Sequence, residues 1–326
     1  MLSYFDAHCD TIYRCLETGE NSALDYGENR EAQRRYYAAS THLRENGGHI
    51  DLLRGKKFQR CAQFFALFHD AVEAPTDGMW AQCQRMHDFF LREMTDNADI
   101  ARHCRTGAEV DEAVSQGMVA ALLSIEGADL MDCDVHKIET VSGWGVRLLN
   151  PVWNRANVLS GTNAEEPERG LSAEGRDFIR TLEEHDIYPD VSHLSDTGFW
   201  DLVRMARRPV IASHSNARAI CPHRRNLTDD QFRAIRDLGG VVGLNLYLHF
   251  VGEPTMDALV AHVEHFLALG GEKTLCLGGD MDGCEALAGG MSGMQDMPKL
   301  YDALKARGYG AELLEDIFWN NLRRLI

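Results

Sequence analysis

The stretch SYFDAHCDT, residues 3–11, decides how the rest of the chain is read. An apolar run ends there in a histidine and an aspartate two positions apart. In an extended strand residues i and i+2 point to one side, so His8 and Asp10 can present an imidazole and a carboxylate to the same point in space. That is half of a metal site if other segments supply the remaining ligands, and an ordinary hydrated strand end if they do not. The same period turns Cys9 to the opposite face, so it is not counted as a ligand.

Seven further apolar, β-rich runs follow: CAQFFALFH (61–69), VAALLSIEG (119–127), VRLLNPVW (146–153), YPDVSH (188–193), PVIASH (209–214), GVVGLNLY (240–247) and TLCLGGD (274–280). Helical periodicity lies between most of them. It is clearest at 255–269, where Met256, Leu259, Val260, Val263, Phe266 and Leu267 recur at helical spacing, with Thr255 as N-cap and Gly270 as stop. Further helices are predicted at 80–104, 172–186, 195–207, 228–238 and 311–323. Strands with little polar alternation, each followed by a helix, indicate a parallel sheet covered on its outer face, and eight such units make a (β/α)8 TIM barrel; a doubly wound open sheet is the alternative. No repeat, low-complexity tract or linker divides the chain, so a single barrel domain over residues 1–326 is expected. The polar segment at about 20–58 reads as a long excursion after the first strand, lying partly over the mouth of the site.

The 326 residues carry a net charge of −17, which argues against a nucleic-acid or anionic membrane partner and favours a small-molecule substrate. The N-terminus, with Asp6, Asp10 and Arg14, lacks the pattern of a secretory signal, and MVAALLSI is too short to span a bilayer. Nine cysteines without a CxxC pair suggest reduced thiols used as small core residues, so a cytoplasmic location is expected.

The strands carry more than His8 and Asp10. Glu126, His193, His214 and Asp280 each stand at the C-terminal end of a different run, and in a parallel barrel those ends converge on the face where active sites are built. A lone histidine there is more often a hydrogen-bonded core residue, but several in register across strands weaken that reading. Imidazoles and carboxylates together suit Zn²⁺ or a similar ion, and this many ligands suit two ions sharing a carboxylate better than one.

From FDAHCDT through SIEGAD, DVSHLS, IASHSNARAICPHRRNLTDD and LGGDMDG to FWNNLRRL, the chain resembles the membrane dipeptidase, or renal dipeptidase, family of zinc metallopeptidases. The resemblance covers essentially the whole chain and implies the (β/α)8 fold, two zinc ions, and hydrolysis of dipeptides by a metal-bridging hydroxide. It implies that His8 and Asp10 ligate one zinc, that Glu126 bridges both, and that His193 and His214 ligate the second. It further implies that Arg225 grips the substrate's C-terminal carboxylate and that Asp280 moves protons, while Asp282 reads as a structural residue holding the turn. Family members commonly self-associate, so a homo-oligomer is an expectation.

One departure stands out. Where mammalian members have a histidine in a THxxxN stretch, taken to hydrogen-bond the oxyanion, PVWNRAN places Trp153; bacterial relatives with a TWN version look similar. Asn154 or Asn157 is a candidate replacement donor, and Tyr247 a candidate pocket-lining residue. His42, His49, His87, His103, His136, His185, His223, His262 and His265 are read as solvated, with His69 and His249 undecided. Two alternatives to a dipeptidase are an amidohydrolase acting on N-acyl amino acids or β-lactam-like amides, and a metal-binding scaffold whose catalysis has lapsed.

Overall fold

The computed structural model describes residues 2–16 and 41–326, and in it nine parallel strands form one sheet. They are β1 (Ser3–Asp6), β2 (Arg60–Phe68), β3 (Ala101–His103), β4 (Val119–Glu126), β5 (Val146–Asn150), β6 (Tyr188–Pro189), β7 (Ile211–Ala212), β8 (Val241–Leu244) and β9 (Leu275–Leu277). Eight follow one another in the order β6-β5-β4-β2-β1-β9-β8-β7, with β3 a side branch on β4. A parallel bridge between Asp190 and Ile211, with Val191 N–H donating to the Ile211 carbonyl at 2.8 Å, brings the two ends together. The result is the (β/α)8 barrel expected from the order of the elements.

Period-2 alternation sorts the buried side chains into two sets. Phe5, Phe64, Leu122, Leu148, Ile211, Val241 and Cys276 come from seven strands and meet one another in one cluster, the barrel interior. Interleaved residues such as Tyr4, Phe65, Leu123, Leu149, Val242 and Leu275 pack instead with Phe90, Phe178, Phe199, Phe232 and Phe266 of the surrounding helices. Trp319 and Leu322 of the C-terminal helical segment join the interior set, which places the chain's end against it. Two glycines are required by close approach: a Cβ on Gly243 or Gly278 would lie 1.9 or 1.7 Å from the Ser213 carbonyl oxygen.

The predicted helices at 172–186, 195–207, 228–238 and 255–269 are found at Ala173–Glu184, Asp196–Met205, Asp229–Asp237 and Met256–Ala268. Their caps are the short polar side chains that precede them: Ser172, Ser195, Thr228 and Thr255 each accept a backbone N–H of the first turn. The helix predicted at 80–104 ends at Asp96 and the chain turns into β3, while 311–323 is interrupted by a π turn over Asp316–Asn320. Gly107–Ser115, Ile138–Trp144 and Met297–Ala306 are additional helices too short for a strong periodic pattern. Of the polar excursion at 20–58, residues 20–40 lie outside the described residues; 41–58 pack down as a loop and the short helix Leu52–Gly55.

Several histidines read as solvated are buried, namely His49, His87 and His262. His262 is the clearest correction. It lies three residues past Leu259 and four before Phe266, on the apolar face of its helix, and is completely buried. Its Nδ1 accepts Ala217 N–H and its Nε2 meets the Val251 carbonyl, both at 3.1 Å, so one neutral tautomer satisfies both contacts. The ring thus ties together two loops that reach the C-terminal rim of the barrel. Burial lowers its pKa from 6.5 to about 4. A folded-state pKa below the unfolded one means that the unfolded chain binds the proton first, so this contribution to stability is lost as pH falls from 6.5 toward 4. His262→Leu, which strands the two backbone groups, is expected to cost about 1–3 kcal/mol at neutral pH and to flatten the fall of Tm between pH 7 and pH 5. Thermal melts across that range check this; curves for variant and wild type that run parallel contradict it.

Candidate active site

At the C-terminal rim of the barrel the six side chains singled out from the sequence come together. β1 ends at Asp6, so His8 and Asp10 lie just past it; Cys9 makes an isolated parallel bridge to Met281 that keeps the backbone extended there. His8 Nε2 stands 3.3 Å from Asp10 Oδ2, 3.5 Å from Glu126 Oε2 and 3.9 Å from Asp280 Oδ1. Glu126, the last residue of β4, turns its other oxygen the opposite way: Oε1 is 2.9 Å from His193 Nε2 and 3.4 Å from His214 Nε2. The two imidazole Nε2 atoms are 3.1 Å apart, and the rings of His8 and His214 stack at 4.0 Å.

Hydrogen bonds behind the site orient these groups. Asn154 Oδ1 lies 3.0 Å from His193 Nδ1, which places the proton on Nδ1 and leaves the Nε2 lone pair facing inward. Ser213 Oγ is 2.7 Å from His214 Nδ1. Asn245 Nδ2 donates to Asp280 Oδ2 at 3.0 Å. Asp282 takes the structural role read from the sequence: its oxygens accept Thr11 Oγ1–H and the N–H groups of His49 and Ile50, and its own N–H meets His49 Nδ1. The loop before β2 is thereby fastened to the rim.

What remains is a set of buried atoms that the protein does not satisfy. His8 Nε2 and Asp10 Oδ1 have no hydrogen-bond partner among the described residues, and imidazole Nε2 atoms converge with carboxylate oxygens. Burial pushes the Glu126 carboxyl up to about 7 and raises Asp280. It drives His193 and His214 well below their ordinary value, with further lowering from Arg225 and His8. His8 moves the other way: burial opposes its charge, but Glu126 and Asp10 raise its pKa. A divalent cation bound by imidazole nitrogen and carboxylate oxygen removes every one of these conflicts, so the donor set fits a metal. Ligand atoms of His8, Glu126 and His214, and of His8, Asp10 and Asp280, lie within 4.8 Å of one another.

A cavity of about 350 Å³ opens over this cluster, lined among others by Tyr13, Phe68, Asp70, Glu73, Trp153, Asn154, Tyr247, Phe250 and Glu285. Trp153 packs on Phe68 with ring centroids 4.8 Å apart and leans toward His193 at 6.2 Å. Tyr247 lines the wall and donates to Glu285 Oε1 at 2.8 Å. Asn157 is turned away from any donor role toward the cavity, because its amide is spent on Asp129, the Pro151 carbonyl and the N–H of Leu159. Arg225 is buried, its Nε without a partner among the described residues, one of its terminal nitrogens 3.4 Å from the His214 carbonyl and its guanidinium beside the Phe250 ring. Phe68, Asp70 and Glu73 were missed in the sequence, although they directly follow the second strand, where the barrel rule places functional residues. Asn245 and Ser213 carried no signal of their own.

The fold has close counterparts among solved structures. A solved metallopeptidase from Rhodobacter sphaeroides, bound to a phosphinate mimic of L-Ala-D-Ala, superposes with a TM-score of 0.84 at 27% identity over 99% of this chain and 98% of that one. The metallopeptidase dipeptidase AC, of family M19, gives 0.85 at 27% identity over 99% and 97%. A Klebsiella pneumoniae protein from the pqqA 5′ region is 33% identical over 77% of this chain and 96% of its own. A model of the membrane dipeptidase family, peptidase family M19, matches residues 2–326. With that match spanning the barrel and every residue of the rim cluster, the chain belongs to the membrane dipeptidase family and is a metal-dependent peptide-bond hydrolase.

Proposed function

We propose that the chain hydrolyses dipeptides at a centre of two zinc ions, one between His8 and Asp10, the other between His193 and His214, with Glu126 shared. The observation that carries this reading is the divided Glu126 carboxylate, one oxygen of which faces His8 while the other faces His193 and His214. Bound divalent cations supply Lewis acidity at the scissile carbonyl and acidify water. The chain's own residues do the rest. Asp280, held through one oxygen by Asn245, keeps the other free to take a proton from water and to pass it to the leaving amine. Arg225 offers its unpartnered N–H to the substrate's carboxylate, which limits substrates to short peptides. Asn154, with its oxygen engaged by His193, presents its amide N–H₂ at the cavity wall in place of the family histidine, beside Trp153.

A dipeptide is favoured over an N-acyl amino acid by the cavity's carboxylates. Asp70, Glu73 and Glu285 line it together with the acids of the cluster and outnumber its one arginine, Arg14, an environment that welcomes a free ammonium and gains nothing from an acyl cap. Zinc-loaded protein is expected to turn over dipeptides, L-Ala-D-Ala among them, much faster than the matching N-acyl amino acids; equal rates would favour the amidohydrolase reading, and no turnover of either the lapsed scaffold. Glu126→Ala is expected to lower zinc content per chain by elemental analysis and to cut kcat/KM by at least about 100-fold, since removing even a residue behind a metal ligand typically costs 10–100-fold. Arg225→Met is expected to raise KM for dipeptides by about 10–100-fold, the worth of a charge-assisted hydrogen bond, with little change for C-terminally amidated dipeptides. Equal losses for acid and amide would remove the carboxylate-binding role.

A further inference from the structure

Two buried aspartates outside the reacting cluster make the same unusual contact. Asp6 Oδ1 accepts His8 N–H and its Oδ2 accepts Gly279 N–H, both at 2.9 Å. Asp190 Oδ1 accepts Ser192 N–H and Ser213 N–H, both at 3.0 Å. Each side chain is 1% exposed. Asp6 therefore straps the segment of His8 to that of Asp280, and Asp190 straps the segment of His193 to that of His214. Asp190 does so at the seam where β6 meets β7 only through an isolated bridge.

The backbone shows what the straps hold. His193 has φ +76° and Asp280 φ +55°, left-handed conformations that cost a non-glycine residue about 1–3 kcal/mol and persist only where the surroundings impose them. In both places the gripped N–H belongs to the residue immediately before the strained one: Ser192 before His193, Gly279 before Asp280. At Asp6 the strap also changes the phase of the strand. Phe5 and Ala7 belong to the interior set, yet His8 rather than Cys9 faces the cavity cluster, so the alternation slips by one residue where Asp6 bonds to His8 N–H.

We propose that Asp6 and Asp190 are paired positioning residues, each setting the geometry of one cation position: Asp6 the one at His8 and Asp10, Asp190 the one at His193 and His214. The inference rests on the two-cation reading above. At Asp6 each carboxylate oxygen accepts a backbone N–H, with Gln63 Nε2 also 3.4 Å from Oδ1, so asparagine of the same shape turns an N–H₂ group against one of them. At Asp190 a single oxygen accepts both N–H groups, so asparagine, which keeps that oxygen, is expected to retain the strap and alanine to remove it.

The test is Zn²⁺ titration against a competing chelator, with metal per chain by elemental analysis, Co²⁺ absorption spectra and thermal melts. It uses wild type, Asp6→Asn, Asp190→Ala, and Asn321→Ala as a control. Asn321 caps the Glu272 and Leu275 carbonyls at the opposite end of β9, so its loss lowers Tm without touching the rim. Wild type and control are expected to take two equivalents. Each aspartate variant is expected to keep one and to weaken the other by about 10–100-fold, and the half-loaded Co²⁺ spectra of the two variants are expected to differ, because different ligands remain. Asp6→Ser and Asp190→Ser, which leave space for a bridging water, are expected to repeat the pattern where Asp6→Asn or Asp190→Ala does not fold. Two equivalents at wild-type affinity in the aspartate variants overturn the proposal, as does a parallel loss of both equivalents that follows Tm alone. Fewer than two equivalents in the wild type would instead bring down the two-cation reading, a failure visible before any variant is made.

Discussion

The structure depends on one uncomfortable arrangement: six buried polar side chains held within reach of one another, two of whose atoms, His8 Nε2 and Asp10 Oδ1, are left without a partner among the described residues. His193 aims a nitrogen lone pair at a carboxylate oxygen that His214 Nε2 also approaches, while His8 Nε2 stands among three acids without a hydrogen-bond partner among the described residues. Burying such groups unpaired costs several kcal/mol. Local interactions therefore work against the site, and its geometry must be imposed by the parts of the fold that surround it.

The barrel does this by gripping each group from behind. Asn154, Ser213 and Asn245 engage His193, His214 and Asp280 through the atoms that face away from the cluster. Asn245 is itself fixed by a reciprocal pair with Asn216: its N–H donates to Asn216 Oδ1, and Asn216 Nδ2 donates to its carbonyl. Below them Gly243 and Gly278 let β8 and β9 close on the Ser213 carbonyl, and Asp282 ties the 46–50 loop to the rim. These contacts are short, buried and mutually dependent, which is how a rigid site tolerates left-handed ligand residues.

Much of this was legible in the sequence, for a physical reason. Strands covered on both faces must be apolar along their length, so VAALLSIE and CAQFFALF stand out as continuous runs, and a polar residue ending such a run is conspicuous. That contrast exposed Glu126, His193, His214 and Asp280. The less legible features obey no period. β3 is three residues long, and the N–H bonds of Asp6 and Asp190 are side chain to backbone contacts between segments far apart in the chain. Even so, an aspartate lies two residues before His8 and three before His193, within apolar runs where an acid is costly, and that coincidence was readable. His262 was misjudged by polarity when its position, between Leu259 and Phe266, already placed it inward.

Charge then decides how a zwitterion would lie in the cavity. The chain carries −17 overall, and the cavity wall adds Asp70, Glu73 and Glu285 to the acids of the cluster against one arginine, Arg14, so on the proposed reading an approaching carboxylate is drawn only to the arginines and the cation positions. An ammonium is drawn to the acidic wall. On the proposed reading these opposed fields leave a dipeptide one orientation, its carboxylate drawn inward to Arg225 and its amine left toward the acidic wall. The bond to be cut lies between the two ends. Because Arg225 sits in the loop that follows His214, the proposed grip on the substrate and one proposed ligand of the second cation, His214, belong to one continuous segment. A shift in that segment would move both together, which is why its anchoring through Asp190, Ser213 and His262 matters as much as the ligands themselves.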